Sequence, residues 1–165
     1  MRDLPTIRAA LTAAETGHLV LATLHTSTAS STINRIIDVF PDMEKAQVRT
    51  QLAMSLLGVL CQQLLARAGY DGGQVAAFEF MRMTSAVANL IRDNRTNHIE
   101  NAIQTGRNVG MQLLDDHLYE LVVARKVEPQ DGLLKANDPA ALIAKLRQHP
   151  DAFDMGIIED QMLGG

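Results

Sequence analysis

The chain has 165 residues, of which 47% are hydrophobic, 21% charged and only 4% aromatic, with a formal charge of -4 and no Trp. That balance fits a globular protein of one domain, or one domain with a small appendage, whose core is built from Leu, Ile, Val, Ala and Met. Residues 151–165 carry Asp151, Asp154, Glu159 and Asp160 and no Lys or Arg, so the first 150 residues are neutral; the lack of a basic stripe argues against nucleic acid as a main partner. A lone Cys61 cannot form an internal disulfide, which fits a reducing cytoplasmic compartment. No apolar run approaches the ~18 residues of a transmembrane helix, so no membrane insertion is expected.

In chain order, Asp3 is placed to cap a first helix with Pro5 in its opening turn, and Leu4, Ile7, Leu11 and Ala14 share one face. Gly17 is its stop. "HLVLATL", residues 18–24, is short and nearly all apolar, which predicts a central parallel strand buried on both faces. "HTSTASST" supplies N-caps for a helix carrying Ile33, Ile36 and Ile37. "FPD" at 40–42 breaks that helix and starts another with Ala46, Leu52 and Leu56. Residues 58–83 predict a hairpin that turns at Tyr70 to Gly73, with Asp71-Gly72 as the signal.

After Met83 the pattern is helical. Thr84 or Ser85 caps "AVANLIRD", and Thr96 caps a helix ended by Gly106. Met111, Leu114, Leu118, Leu121 and Val122 fall at helical spacing; Asp138 caps a last helix with Pro139 at its first position. The acidic segment from Pro150 is expected to be mobile. A buried parallel strand needs neighbours on both sides; the hairpin can supply one, and the other side has no candidate in the sequence.

The residues with chemical potential are few. His18 and His25 bracket the expected strand; seven residues apart, they would leave opposite faces about 20 Å from each other and could not share a metal. His25 would stand at the carboxyl end of that strand, where open α/β sheets bind ligands, and Thr26, Ser27 and Thr28 lead into a helix N-terminus that favours anions. The plainer reading of His25 is a histidine satisfied by its neighbours, and of His18 a structural hydrogen bond at the strand start. His98, His117 and His149 fall on predicted helices and should face solvent. No HExxH, GxSxG or GxxxxGK[ST] occurs, so neither a zinc site nor a phosphate loop is supported. Adjacent Asp115 and Asp116 do not form a catalytic pair, and Cys61 on an apolar strand should be buried and inert. In "AVANLIRDN", Ala86, Val87, Leu90 and Ile91 share a face; packing and a partner groove both remain open readings.

Taken together, "MRDLPTIRAALTAAETGHLVLATLHTSTASSTINRIIDVFP" closely resembles the type IV pilus retraction ATPases of the twitching-motility, PilT-like family within the secretion ATPases. The likeness continues through "EKAQVRTQLAMSLLGVLCQQLLAR", "VAAFEFM", "SAVANLIRDN" and "AIQTGRNVGMQLLDDHLYELV", or roughly residues 1–135. "TAAETGHLVLATLHT" looks like the histidine box of that superfamily.

The resemblance implies an α/β fold: the C-terminal part of a RecA-like P-loop ATPase core over residues 1–83, a parallel strand plus the hairpin, then a helical region over 84–149 and an acidic tail over 150–165. It implies a cytoplasmic hexameric motor that uses ATP and Mg²⁺ and works at the inner face of the membrane with pilus platform proteins. By the same resemblance His25 matches the histidine-box residue near the γ-phosphate and His18 its partner, while Arg2 and Asp3 match positions just after the Walker B acid. Ala86, Val87, Asn89, Leu90, Ile91, Arg92 and Asp93 match a motif linked to retraction, with Ala88 where that motif usually has Arg and Asp93 where it has Glu. The family's phosphate loop, aspartate box and Walker B glutamate would precede residue 1, so Met1 looks like an internal methionine. The chain alone is therefore expected to bind no ATP and to be inactive, and residues 1–40 to self-associate or remain partly disordered. The alternative is a non-catalytic, α-rich binding module that regulates a motor or docks another partner.

Overall fold

The computed structural model describes residues 3–69 and 72–148. Helix α1 runs Leu4–Glu15, α2 Ala29–Asp38 and α3 Asp42–Ser55; strands β1 Gly58–Ala66 and β2 Gln74–Arg82 follow; then come α4 Ser85–Arg92, α5 Ile99–Thr105, α6 Leu114–Val123, α7 Pro129–Lys135 and α8 Pro139–Leu146. Short 3-10 turns cover Thr96–His98 and Arg107–Val109. The strands form one antiparallel two-stranded sheet. Its register is set at both ends: Met83 N donates to Leu57 O and Arg67 N to Gly73 O, each at 2.9 Å. That register puts Cys61 opposite Glu79, on the same face.

The described residues divide into two compact units. The first holds 3–61 and 79–112. Here α3 packs on α1, α2 and α4, and α5 on α2 and α4. Ile7, Ile33, Met81, Ile91 and Ile99 are fully buried, each worth about 1.5–3 kcal/mol of burial. The chain turns sharply after α1 because Gly17 takes φ +89, which costs other residues strain. Gly58 opens β1 where an added Cβ would come within 2.9 Å of Met81 O, so a side chain there would force the strands apart.

The second unit holds 62–69, 72–78 and 113–148. Helices α6, α7 and α8 pack on one another. Leu114, Leu118, Val122, Leu133, Leu142 and Leu146 form its aliphatic core with Leu65 and Ala77 from the hairpin. Polar groups close its loops. Asp115 accepts from Asn137 N and Asp138 N at 2.8 Å, and Asp138 caps α8 by accepting from Ala141 N at 2.9 Å. Lys145 Nζ meets Asp116 at 2.6 Å.

Several sequence expectations are corrected. Residues 18–24 belong to no strand; Leu19 and Leu21 are 74% and 89% exposed. A strand needs ladder partners to satisfy its backbone, and no described strand pairs with this segment. Thr96 does not cap a helix but lies buried in a 3-10 turn, and α5 begins at Ile99. Helix α7 was not anticipated, because seven residues are too few for an apolar period to register. His117 does not face solvent: it is half-buried, stacks on Phe78 at 5.9 Å, and its Nδ1 accepts from Phe78 N at 3.0 Å. His98 is likewise half-buried. Helices α4 and α5 pack with α1–α3 in the first unit. Arg2, the hairpin-turn residues Tyr70 and Asp71, His149 and the 150–165 tail lie outside the described residues.

Candidate functional site

The site begins with the segment between α1 and α2. His25 is exposed and leads into a run of hydroxyl residues tied to α2 from two sides. Thr28 is the N-cap: its Oγ1 accepts from Ser31 N at 3.1 Å. Thr32 Oγ1, one turn along, donates to Thr28 O at 2.8 Å and lies 2.6 Å from Thr26 Oγ1. Ser30 Oγ donates to Thr96 O at 3.1 Å. The first amide of the helix, Ala29 N, donates to Glu79 Oε1 at 2.7 Å. The anion that this helix terminus favours is thus the protein's own carboxylate, 3% exposed on β2.

The same face holds Cys61, 5% exposed, with its Sγ 3.7 Å from Thr32 Oγ1. Burial pushes the thiol above its ordinary value; the Thr32 contact lowers it and the nearby Glu79 charge raises it further. A buried thiol held protonated is an inert one.

His18 lies at the other end of the segment. It is exposed, its N donates to Ala13 O at 3.1 Å, and its Nδ1 is 3.1 Å from Thr16 Oγ1. The ring also borders an open groove of about 860 Å³ lined by Arg8, Thr12, Thr16, Leu19 and Leu21 among others. Among the described residues no hydrogen bond joins His18 to His25. Asp3 occupies the N-cap position of α1 without a side-chain cap bond; its backbone O accepts from Ile7 N.

Helix α4 carries the third candidate group. Thr84 caps it through Val87 N at 3.3 Å. Val87, Ala88 and Ile91 are buried, Leu90 is half-buried, and Ala86, Asn89, Arg92 and Asp93 are exposed. Ala86 therefore does not share the packed face with Val87 and Ile91. The helix presents instead an i, i+3 ridge of Ala86, Asn89 and Arg92, with Asp93 at its end.

Sequence reasoning missed Glu79 and Thr32. A signal existed: in "AAFEFMR" the strand alternation puts Glu79 on the core face with Ala77 and Met81, and an acid on a core face needs a partner. It also missed the structural use of Asp115 and Asp116 in the second unit. Among the described residues no group of three His, Cys, Asp or Glu side chains is placed to hold a metal ion.

A family model described as Type II/IV secretion system protein matches residues 1–138. The chain belongs to that family. Within it, the chain is 51% identical over 139 residues to the Type IV pilus retractation ATPase PilT of Pseudomonas aeruginosa, covering 84% of this chain and 40% of that protein. It is 46% identical over 143 residues to a twitching motility protein of Neisseria gonorrhoeae, covering 86% and 38%. The pilus retraction motor PilT with bound ADP matches in structure with a TM-score of 0.76 and 40% identity, over 86% of this chain and 39% of that one. The expected fold class, the C-terminal part of an α/β ATPase core followed by helices, agrees with this match. The chain spans about 40% of the length of the curated relatives it matches.

Proposed function

We propose that this chain supplies the histidine-box and C-terminal helical parts of a motor that drives type IV pilus retraction, and that it does not bind or hydrolyse ATP by itself. The observation that carries the reading is the likeness, 51% identical over 139 residues, to a pilus retraction ATPase.

Phosphoryl transfer is mostly positioning and charge stabilisation: a backbone cradle, a Lys, ligands for Mg²⁺ and a group that orients the nucleophile. The residues present do not fit Mg²⁺-ATP on their own. The chain has no GxxxxGK[ST] loop. The first amide of α2, where a phosphate could otherwise be received, is occupied by Glu79. Nucleotide and Mg²⁺ would be held by residues outside this sequence, in the same polypeptide or in a neighbouring copy. His25 would then meet the transferred phosphate, with His18, Arg2 and Asp3 in supporting positions. The exposed ridge of α4, with Asn89, Arg92 and Asp93, would carry the retraction motif.

Residues 1–83 would belong to the ATPase core, 84–149 to the helical region and 150–165 to an acidic tail. The partners would be further copies in a hexameric ring and pilus platform proteins at the cytoplasmic face of the inner membrane. Among the described residues no helix is long and apolar enough to cross a membrane. Exposed Leu19 and Leu21 favour a second reading, a binding module without chemistry.

Calorimetric titration of Mg²⁺-ATP into the purified chain tests the claim that it binds no nucleotide by itself; no binding heat is expected, and saturable binding near micromolar affinity would overturn it. For the motor role, His25→Ala is placed in the encoding gene in its native context and pilus retraction is scored. Lost retraction at normal protein level is expected. Unimpaired retraction favours the binding module.

A further inference from the structure

We infer that Glu79 is a positioning residue that holds the His25 segment in place by anchoring the first amide of α2. Its value for catalysis rests on the motor reading above; the anchoring itself does not.

The geometry runs through two links. Glu79 Oε1 accepts from Ala29 N at 2.7 Å, a short charge-assisted bond made in a buried setting and aligned with the helix dipole. Ala29 follows the segment that His25 opens. The second link starts one turn inside α2. Thr32 Oγ1 contacts both Thr26 Oγ1, at 2.6 Å, and Thr28 O, at 2.8 Å, so the residue beside His25 is fastened to the same helical turn. His25 is exposed. Its orientation is set by the backbone behind it, and that backbone is held by a carboxylate 50 residues away in sequence.

Glu79 has a rigid mount. It lies on β2 opposite Cys61, between the buried side chains of Ala77 and Met81. A carboxylate so enclosed is costly to desolvate, and a helix N-terminus is one of the few partners that offset the cost. A purely structural role would need only some hydrogen bond at this place. A positioning role requires that losing the carboxylate moves His25.

The test uses NMR on the 165-residue chain. In the wild type the Ala29 amide should be strongly protected from exchange and shifted downfield. Glu79→Ala should speed exchange at Ala29 by at least about tenfold, the loss of one buried hydrogen bond, and shift the Thr26 amide and the His25 ring resonances. Glu79→Gln, whose side-chain oxygen can still accept, should restore all three. Thr32→Val cuts the second link without touching Glu79 and should shift Thr26 and His25 while leaving Ala29 protected; it also decides the matter if Glu79→Ala fails to fold. Unchanged Thr26 and His25 resonances in a folded Glu79→Ala or Thr32→Val protein would overturn the inference. The same variants in the native gene context separate the two claims. A lower kcat at unchanged KM, recovered by Glu79→Gln, supports both; shifted His25 resonances with unimpaired turnover support the anchoring and count against the motor reading.

Discussion

The two units bury their polar groups in different ways. In the second unit the buried acid, Asp116, meets Lys145, and Asp115 closes the loop into α8; these groups serve a local packing of consecutive helices. In the first unit Glu79, Thr32 and Thr96 are buried, and Glu79 and Thr96 bond residues 50 and 66 positions away. Among the described residues the first unit also leaves Leu19, Leu21, Met43, Met54 and Leu57 at least 70% exposed, against Leu134 in the second. One unit spends its polar contacts on closing itself; the other uses them to hold a loop that ends in an exposed histidine. The buried polar groups thus serve different ends, joining consecutive helices in one unit and distant stretches of sequence in the other.

Four variants would break or sharpen that contrast. Leu118→Ala, at the centre of the aliphatic core, should destabilise the second unit by about 3 kcal/mol in urea unfolding. Asp115→Ala strips two loop amides of their acceptor and should lower the stability of that unit by about 2 kcal/mol, measured in the same way. In the first unit, Thr28→Ala removes the α2 cap and should cost about 1 kcal/mol, with amide exchange rising at Ser31. The double change Leu19→Lys with Leu21→Lys should alter stability by less than about 0.5 kcal/mol, because both side chains already face water. It should, however, reduce self-association in light scattering. A large loss of stability there would mean that the segment packs against something in solution, and the contrast would fail at that point.

Local signals in the sequence located most of the elements. Pro5, Thr84 and Asp138 mark true helix starts, Gly17 and Gly106 true ends, and the hairpin strands fall within the expected residues 58–83. These signals work because capping, φ restriction and turn formation involve residues within a few positions of one another. The expected strand at 18–24 misled for the opposite reason. Its apolar run is a statement about neighbours that would cover it, and none of the described strands does so. The hydroxyl-rich helix start beside His25 was legible, and α4 through its period, although the exposure of Ala86 was not.

The sequence by itself determined the family, the helix boundaries set by caps and the position of the hairpin, because each depends on residue identity at short range. The tertiary structure alone decided that Glu79 occupies the N-terminus of α2, that Thr32 fastens Thr26, and that His117 is held by Phe78. Those contacts join residues that the chain brings together only on folding. A buried carboxylate can announce that it needs a partner, but only the packed fold selects which amide it takes.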